Sequence, residues 1–124
     1  MKTPWKLVLA SLVTVGCNIP KAETSAESIG PRVKNECDQP IVADVGDSLQ
    51  NAERELRESP VIMQPGWSSS IEYFVHNDVV PDTLFLLVGV AADGAAIMEF
   101  KTSELRGKLV TVVFLADCRT LISE

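Results

Sequence analysis

The residues able to do chemistry gather in one stretch of the chain. His76-Asn77-Asp78, with Asp82 shortly after, set an imidazole beside two carboxylates, the groups that metal sites and acid–base pairs require. His76 is the sole histidine, so a multi-histidine zinc site cannot form within one chain. The spacing of Asp78 and Asp82 matches no calcium loop. The pattern predicts a strand ending at His76 and an Asx-type turn after it. Ser68-Ser69-Ser70 lie upstream of the same histidine. A serine nucleophile needs a base within hydrogen-bond reach and a strained turn such as G-x-S-x-G, and Pro65-Gly66-Trp67-Ser68 is not that motif. Gly89, Gly94 and Gly107 are scattered and form no phosphate-cradling loop. No catalytic residue, metal ligand or cofactor is assigned, and the expectation is a non-enzymatic domain. Trp67 and Phe74 are the candidate partner-binding side chains, since aromatics are enriched at interfaces. A corner tryptophan such as Trp67 is nevertheless expected to plug the core.

These residues sit on a sequence that reads mostly β. Pro40–Val45 is a short apolar strand closed by Gly46-Asp47. Ser48–Glu58 is the one persuasive helix: Asp47 or Ser48 caps it, Leu49, Ala52 and Leu56 share a face, and Pro60 stops it. Arg54, Glu55, Arg57 and Glu58 form its solvated side. Val61–Met63 is a brief strand. Ser69–His76 alternates, with Ile71, Tyr73 and Val75 on one face and Glu72, Phe74 and His76 on the other. Thr83–Ala91 is apolar on both faces and returns as Ala95–Lys101 through Asp93-Gly94, a pair suited to a type I′ turn. Thr102–Gly107 is a polar connection, and Lys108–Ala116 is a last two-sided apolar strand. About six short strands at this spacing predict a small antiparallel β-sandwich or barrel with one inserted helix. Strands 83–91 and 108–116 should be central, covered on both faces, with the helix or a partner over part of one of them.

The N-terminal segment carries a different signal. Lys2 and Lys6 precede the uncharged run Leu7–Val15, and Gly16-Cys17 closes it. That layout is an export signal: a basic start, a short apolar stretch and a small residue at the cut. It resembles the signal of bacterial lipoproteins, in which a cysteine after a small residue is acylated and becomes the mature N-terminus. The resemblance covers residues 1–17 and departs from the usual pattern at Thr14, where leucine is customary. An ordinary secretory signal cut later, for example after Ala22, is the competing reading, and gives a soluble secreted or periplasmic protein. The apolar run is about half the ~20 residues a membrane-spanning helix needs.

The resemblance implies a division of the chain into an export signal over 1–16, a lipidated N-terminus and flexible linker over 17–36, and a β-rich domain over 37–124. It assigns Cys17 to the lipid and the membrane, which leaves Cys37 and Cys118 to pair as a disulfide in an oxidising compartment. The net charge of −6, from 11 basic and 17 acidic residues, becomes more negative once Lys2 and Lys6 are removed. Such a surface repels phosphate backbones and anionic headgroups, so nucleic acid is not an expected partner. The expected role is that of a lipid-anchored cell-envelope domain, a binding or structural module with an unidentified envelope protein as partner and no small-molecule cofactor. The alternative is a periplasmic or secreted inhibitor of a cell-wall hydrolase such as lysozyme, whose basic surface an acidic domain would suit.

Overall fold

The computed structural model describes residues 27–124. The export-signal region and Cys17 lie outside the described residues. In chain order the elements are β1 (Ser28–Ile29), β2 (Arg32–Asn35), β3 (Ile41–Gly46), α1 (Leu49–Glu58), β4 (Val61–Met63), β5 (Ser68–Ser70), β6 (Tyr73–Phe74), β7 (Thr83–Gly89), β8 (Ala96–Lys101), α2 (Thr102–Leu105), β9 (Thr111–Phe114) and β10 (Leu121–Ser123). Two four-stranded sheets, β4-β3-β7-β8 and β10-β9-β2-β5, form a sandwich extended by the short β1-β6 pair. Neither sheet closes into a barrel. All pairs are antiparallel except β2 with β9, which run parallel.

Alternation along the strands builds the core between the sheets. Ile41, Ala43 and Val45 of β3 and Leu84, Leu86 and Val88 of β7 point inward, against Val33 of β2 and Val112 and Phe114 of β9. The opposite face of β7 explains why that strand is apolar on both sides. Leu87 there is sealed by Ala52 and Leu56 of α1, with Val42 and Phe85 alongside. Helix α1 is capped by Ser48, whose hydroxyl accepts from the Asn51 N–H at 3.0 Å. Gly46 lets the helix lie close: a Cβ there would come within 2.5 Å of the Ala52 nitrogen.

Part of the expected linker is structural. Residues 28–29 and 32–35 are strands, and β2 lies between β9 and β5 rather than in solvent. The polar composition of 17–36 hides Ile29, Val33 and Asn35, all of which are buried. Asn35 is tolerated inside because backbone groups satisfy its amide. Its Nδ2 donates to Gln39 O (2.9 Å) and Met63 O (3.3 Å), and its Oδ1 accepts from the Cys37 N–H (2.9 Å). Segment 69–76 keeps the alternation expected of it but is interrupted in the middle. β5 with β2 and β6 with β1 share one register, broken at Gly30-Pro31, where proline offers no N–H to the ladder. Gly30 is required there, since a Cβ would fall 1.8 Å from the Ile71 carbonyl oxygen.

The turns redistribute as well. β7 and β8 form the expected hairpin, with Leu86 and Val88 in the core, but the connection is longer than two residues and only Gly94 of the Asp93-Gly94 pair has positive φ (+77°). The turn with positive φ at both central residues is instead Asn77 (54°) and Asp78 (59°), closed by the Val79 N–H donating to His76 O at 3.0 Å. Cys37 and Cys118 form a disulfide, with Cα atoms 5.0 Å apart and a sequence separation of 81. It ties the end of β2 to the β9–β10 turn within one sheet. In that turn the Asp117 carboxylate accepts from the Thr120 hydroxyl and from the Arg119 and Thr120 N–H groups, which hold its pKa at about 2.

Candidate functional site

A cleft of about 340 Å³ opens where three elements meet: the end of β3, the first turns of α1 and the 72–76 arm around β6. Period-two alternation sends Asp44 out of β3 on the face opposite Ala43 and Val45. The i, i+4 spacing of α1 brings Asn51 and Glu55 to one side of the helix, while Ala52 and Leu56 turn inward. Glu72, Phe74 and His76 project from the exposed face of the arm and join the lining, together with Tyr73.

Asp47 holds the two walls together. Its Oδ1 accepts from Asn51 Nδ2 at 2.6 Å on the helix side, and its Oδ2 accepts from the Tyr73 hydroxyl at 3.3 Å on the arm side. Desolvation, with the charge of Asp47 and this hydrogen bond, raises the Tyr73 pKa above the ordinary phenol value. Asp44 is half-buried. Burial pushes its carboxyl pKa up and the nearby Glu55 charge adds to the rise, against the 2.8 Å hydrogen bond its Oδ1 accepts from the Val45 N–H. The ion pairs among the described residues are Lys34–Glu36, Arg57–Asp93 and Arg106–Glu27. None involves Asp44, Asp47, Glu55 or Glu72, so among the described residues no cation lies within 4.0 Å of the cleft carboxylates, although Arg54 also lines the cleft. No family model, curated protein or solved structure matches the chain.

The sequence-derived candidates are scattered over the domain. Phe74 lines the cleft and is 55% exposed, whereas Trp67, at 57% exposed, caps the β4–β5 turn instead of plugging the core. Seven positions of ribbon separate them, roughly 20 Å at the strand rise, so they are not one patch. The same spacing keeps Ser68, Ser69 and Ser70 away from His76. His76 sits at the cleft rim with its ring edge-on to Tyr73, centroids 6.4 Å apart. Asp78 and Asp82 are absent from the cleft lining. Among the described residues, the one group of three potential metal ligands is Cys37, Asp38 and Cys118, and its two sulfurs are joined to each other.

Sequence reading missed Asp44, Asp47, Asn51, Glu55 and Glu72 as a set. The available signal was Asp44 itself, a charged residue inside the apolar run Ile41–Val45, where a merely solvated strand face would not be expected beside a helix. Chemically the cleft offers dispersed carboxylates, a phenol and an open aromatic ring.

Proposed function

We propose that the chain is an exported, lipid-anchored domain of the cell envelope that works by binding a protein partner and not by catalysis. The observation that carries this reading is the cleft, a preformed concavity lined by polar groups and the exposed ring of Phe74. The Cys37–Cys118 disulfide supports export, since such bonds persist in oxidising compartments. It also leaves Cys17 as the cysteine available to an acyl chain at the end of the signal-like segment. No helix among the described residues is long and apolar enough to cross a membrane, and a lipid on Cys17 would supply the attachment.

A second reading, inhibition of a cell-wall hydrolase such as lysozyme, is favoured by one feature: the unneutralised carboxylates of the cleft suit a basic target. Two measurements test the pair. Cys17→Ser should abolish acyl labelling and move the chain from the membrane to the soluble exported fraction; identical fractionation without lipid on either form refutes the anchor. Immobilised wild-type chain should retain an envelope protein that the cleft variant Phe74→Ala releases, and retention unaffected by the variant refutes the cleft as the binding site. Loss of lysozyme activity on mixing with the pure chain would select the second reading.

A further inference from the structure

We infer that the end of the sandwich where the N-terminal segment enters is a membrane-facing surface, which lays exposed aliphatic side chains on zwitterionic lipid. It is formed by the 76–82 turn, α2 and the connection to β9. The inference rests on the lipid anchor proposed above and adds to it an orientation of the domain. The entry point is fixed by three hydrogen bonds. Arg106 donates to both carboxylate oxygens of Glu27, at 2.7 and 2.8 Å, and the Val75 N–H donates to Glu27 O at 2.8 Å. From there β1 and β2 carry the chain away, with Arg32 beside Thr111 and Asn35 beside Phe114, toward the Cys37–Cys118 bond. The Asn35 N–H donates to Trp67 O, and Asn35 O accepts from the Gly66 N–H. Trp67 and the disulfide therefore mark the far end, roughly 20 Å from Ser28 at the strand rise. Ten positions separate Cys17 from Glu27 (27 − 17), a length of chain that spans at most about 35 Å. A lipid on Cys17 would keep the entry end near the bilayer at an effective concentration on the order of 1 mM, where weak contacts suffice.

The side chains at that end fit the role. Leu109 is 84% exposed and Val79 68%, the two most exposed large hydrophobic residues among the described ones, and both flank α2. Val80, next to Val79, lines one pocket with Thr102 and Arg106. Leu109 follows the turn in which the Lys108 N–H donates to Leu105 O. Lys101 and Lys108 are exposed on the same side and take no part in the ion pairs among the described residues. Their stems can lie along acyl chains while the ammonium groups reach headgroup phosphates. Asp78, Asp82 and Glu104 belong to the same end, so the fit is to zwitterionic lipid and not to a strongly anionic surface. A second protein is the poorer occupant. Protein interfaces are anchored by aromatic or arginine side chains set in pockets, and here the one arginine of α2 is spent on Glu27. Shallow contact with a lipid interface asks only for apolar tips with cations around them.

The test uses the full chain matured in the cell, with its intact mass recorded, in phosphatidylcholine vesicles brominated on the acyl chains. Bromine quenches only tryptophan that touches the hydrocarbon. The chain has two tryptophans, Trp5 and Trp67, and removal of the signal takes Trp5. Trp67 then reports on the far end by itself, and its emission should change by less than about a tenth. With Trp67→Phe in place, Leu109→Trp and Val79→Trp move the reporter to the entry end, and each should lose about half of its emission or more. Adding Val79→Asp to the Leu109→Trp chain should cut that quenching at least twofold. The unanchored Cys17→Ser form of the Leu109→Trp chain should show at least fivefold less. Equal quenching at 67 and 109, none at 109 or 79, or quenching that is as strong without the anchor overturns the inference. A blue shift at 109 without quenching assigns the patch to a protein, and overturns it as well. A mass without lipid refutes the anchor and this orientation together, whereas a lipidated chain that shows no quenching at 109 or 79 refutes the orientation alone.

Discussion

Breaking the Cys37–Cys118 bond should cost this domain a large share of its stability. The cysteines are separated by 81 positions, for which the loop-entropy relation gives about 4.5 kcal/mol, an upper value because measured bridges commonly deliver about 2 to 4. A single domain has only about 5 to 15 kcal/mol in all. The native sheet does not depend on the bond for its pairing, since β2 and β9 are already hydrogen-bonded side by side. The loss therefore falls mainly on the unfolded state, which gains freedom. Cys118→Ala isolates that term because Cys118 is only partly buried, whereas Cys37 is 2% exposed and belongs to the core. We expect Cys118→Ala to lose about 3 kcal/mol, Cys37→Ala about 1 kcal/mol more from the vacated packing, and the double variant to match Cys37→Ala. Guanidinium chloride unfolding under non-reducing conditions reads these differences, and reducing the wild type should reproduce the Cys118→Ala curve. Recovery of two free thiols from denatured, unreduced wild type, or single variants as stable as wild type, would refute the reasoning.

Three further perturbations follow from named contacts. Gly30→Ala places a Cβ 1.8 Å from the Ile71 carbonyl oxygen, so β1-β6 and β2-β5 cannot keep their shared register. A loss of more than about 3 kcal/mol, or failure to accumulate folded protein, is expected in thermal melts. Asn35→Ala abandons the buried Cys37 N–H and the carbonyls of Gln39 and Met63, and chemical denaturation should show a loss of about 2 to 3 kcal/mol. Asp44 carries a raised pKa, so the folded chain holds that proton more tightly than the unfolded one. Its contribution is fully present below the ordinary aspartate value and is lost as pH rises through the folded one. Asp44→Asn should therefore gain stability relative to wild type across that rise and hold the gain at neutral pH; a pH-independent difference in melting temperature would contradict this.

The two-sided apolar strands and the capped helix were legible because their signals are local. Leu84–Val88 announced a strand covered on both faces, and Ser48 with Ala52 and Leu56 announced a short amphipathic helix, which the fold lays on Leu87. β2 was not legible. Arg32-Val33-Lys34-Asn35 carries one aliphatic residue, and its place beside β9 comes from residues 79 positions later in sequence, beyond any local pattern. Asn35 reads as linker polarity until the carbonyls around it are known. Trp67 illustrates the reverse error: its bulk argued for the interior, while the Pro65-Gly66 turn carries it outward. The cleft failed to register for a related reason. Asp44, Asn51 and Glu72 lie on a strand, a helix and an arm, and each alone looks like ordinary solvated polarity.

The central position of β2 also dictates when the molecule can finish folding. One sheet, β4-β3-β7-β8, is complete once residue 101 is present: β7 and β8 meet as a hairpin, β3 and β4 pair across α1, and β3 and β7 pair across 39 to 47 positions. The other must wait. β2 forms early in the chain, yet its flank stays open until Thr111–Phe114 arrive beside it, and the β9–β10 turn then delivers Cys118 to Cys37. Such non-local pairing slows folding. Under the proposed export, which would thread the chain through a membrane from its N-terminus, that delay would keep half of the sandwich unlocked until nearly the whole sequence had crossed.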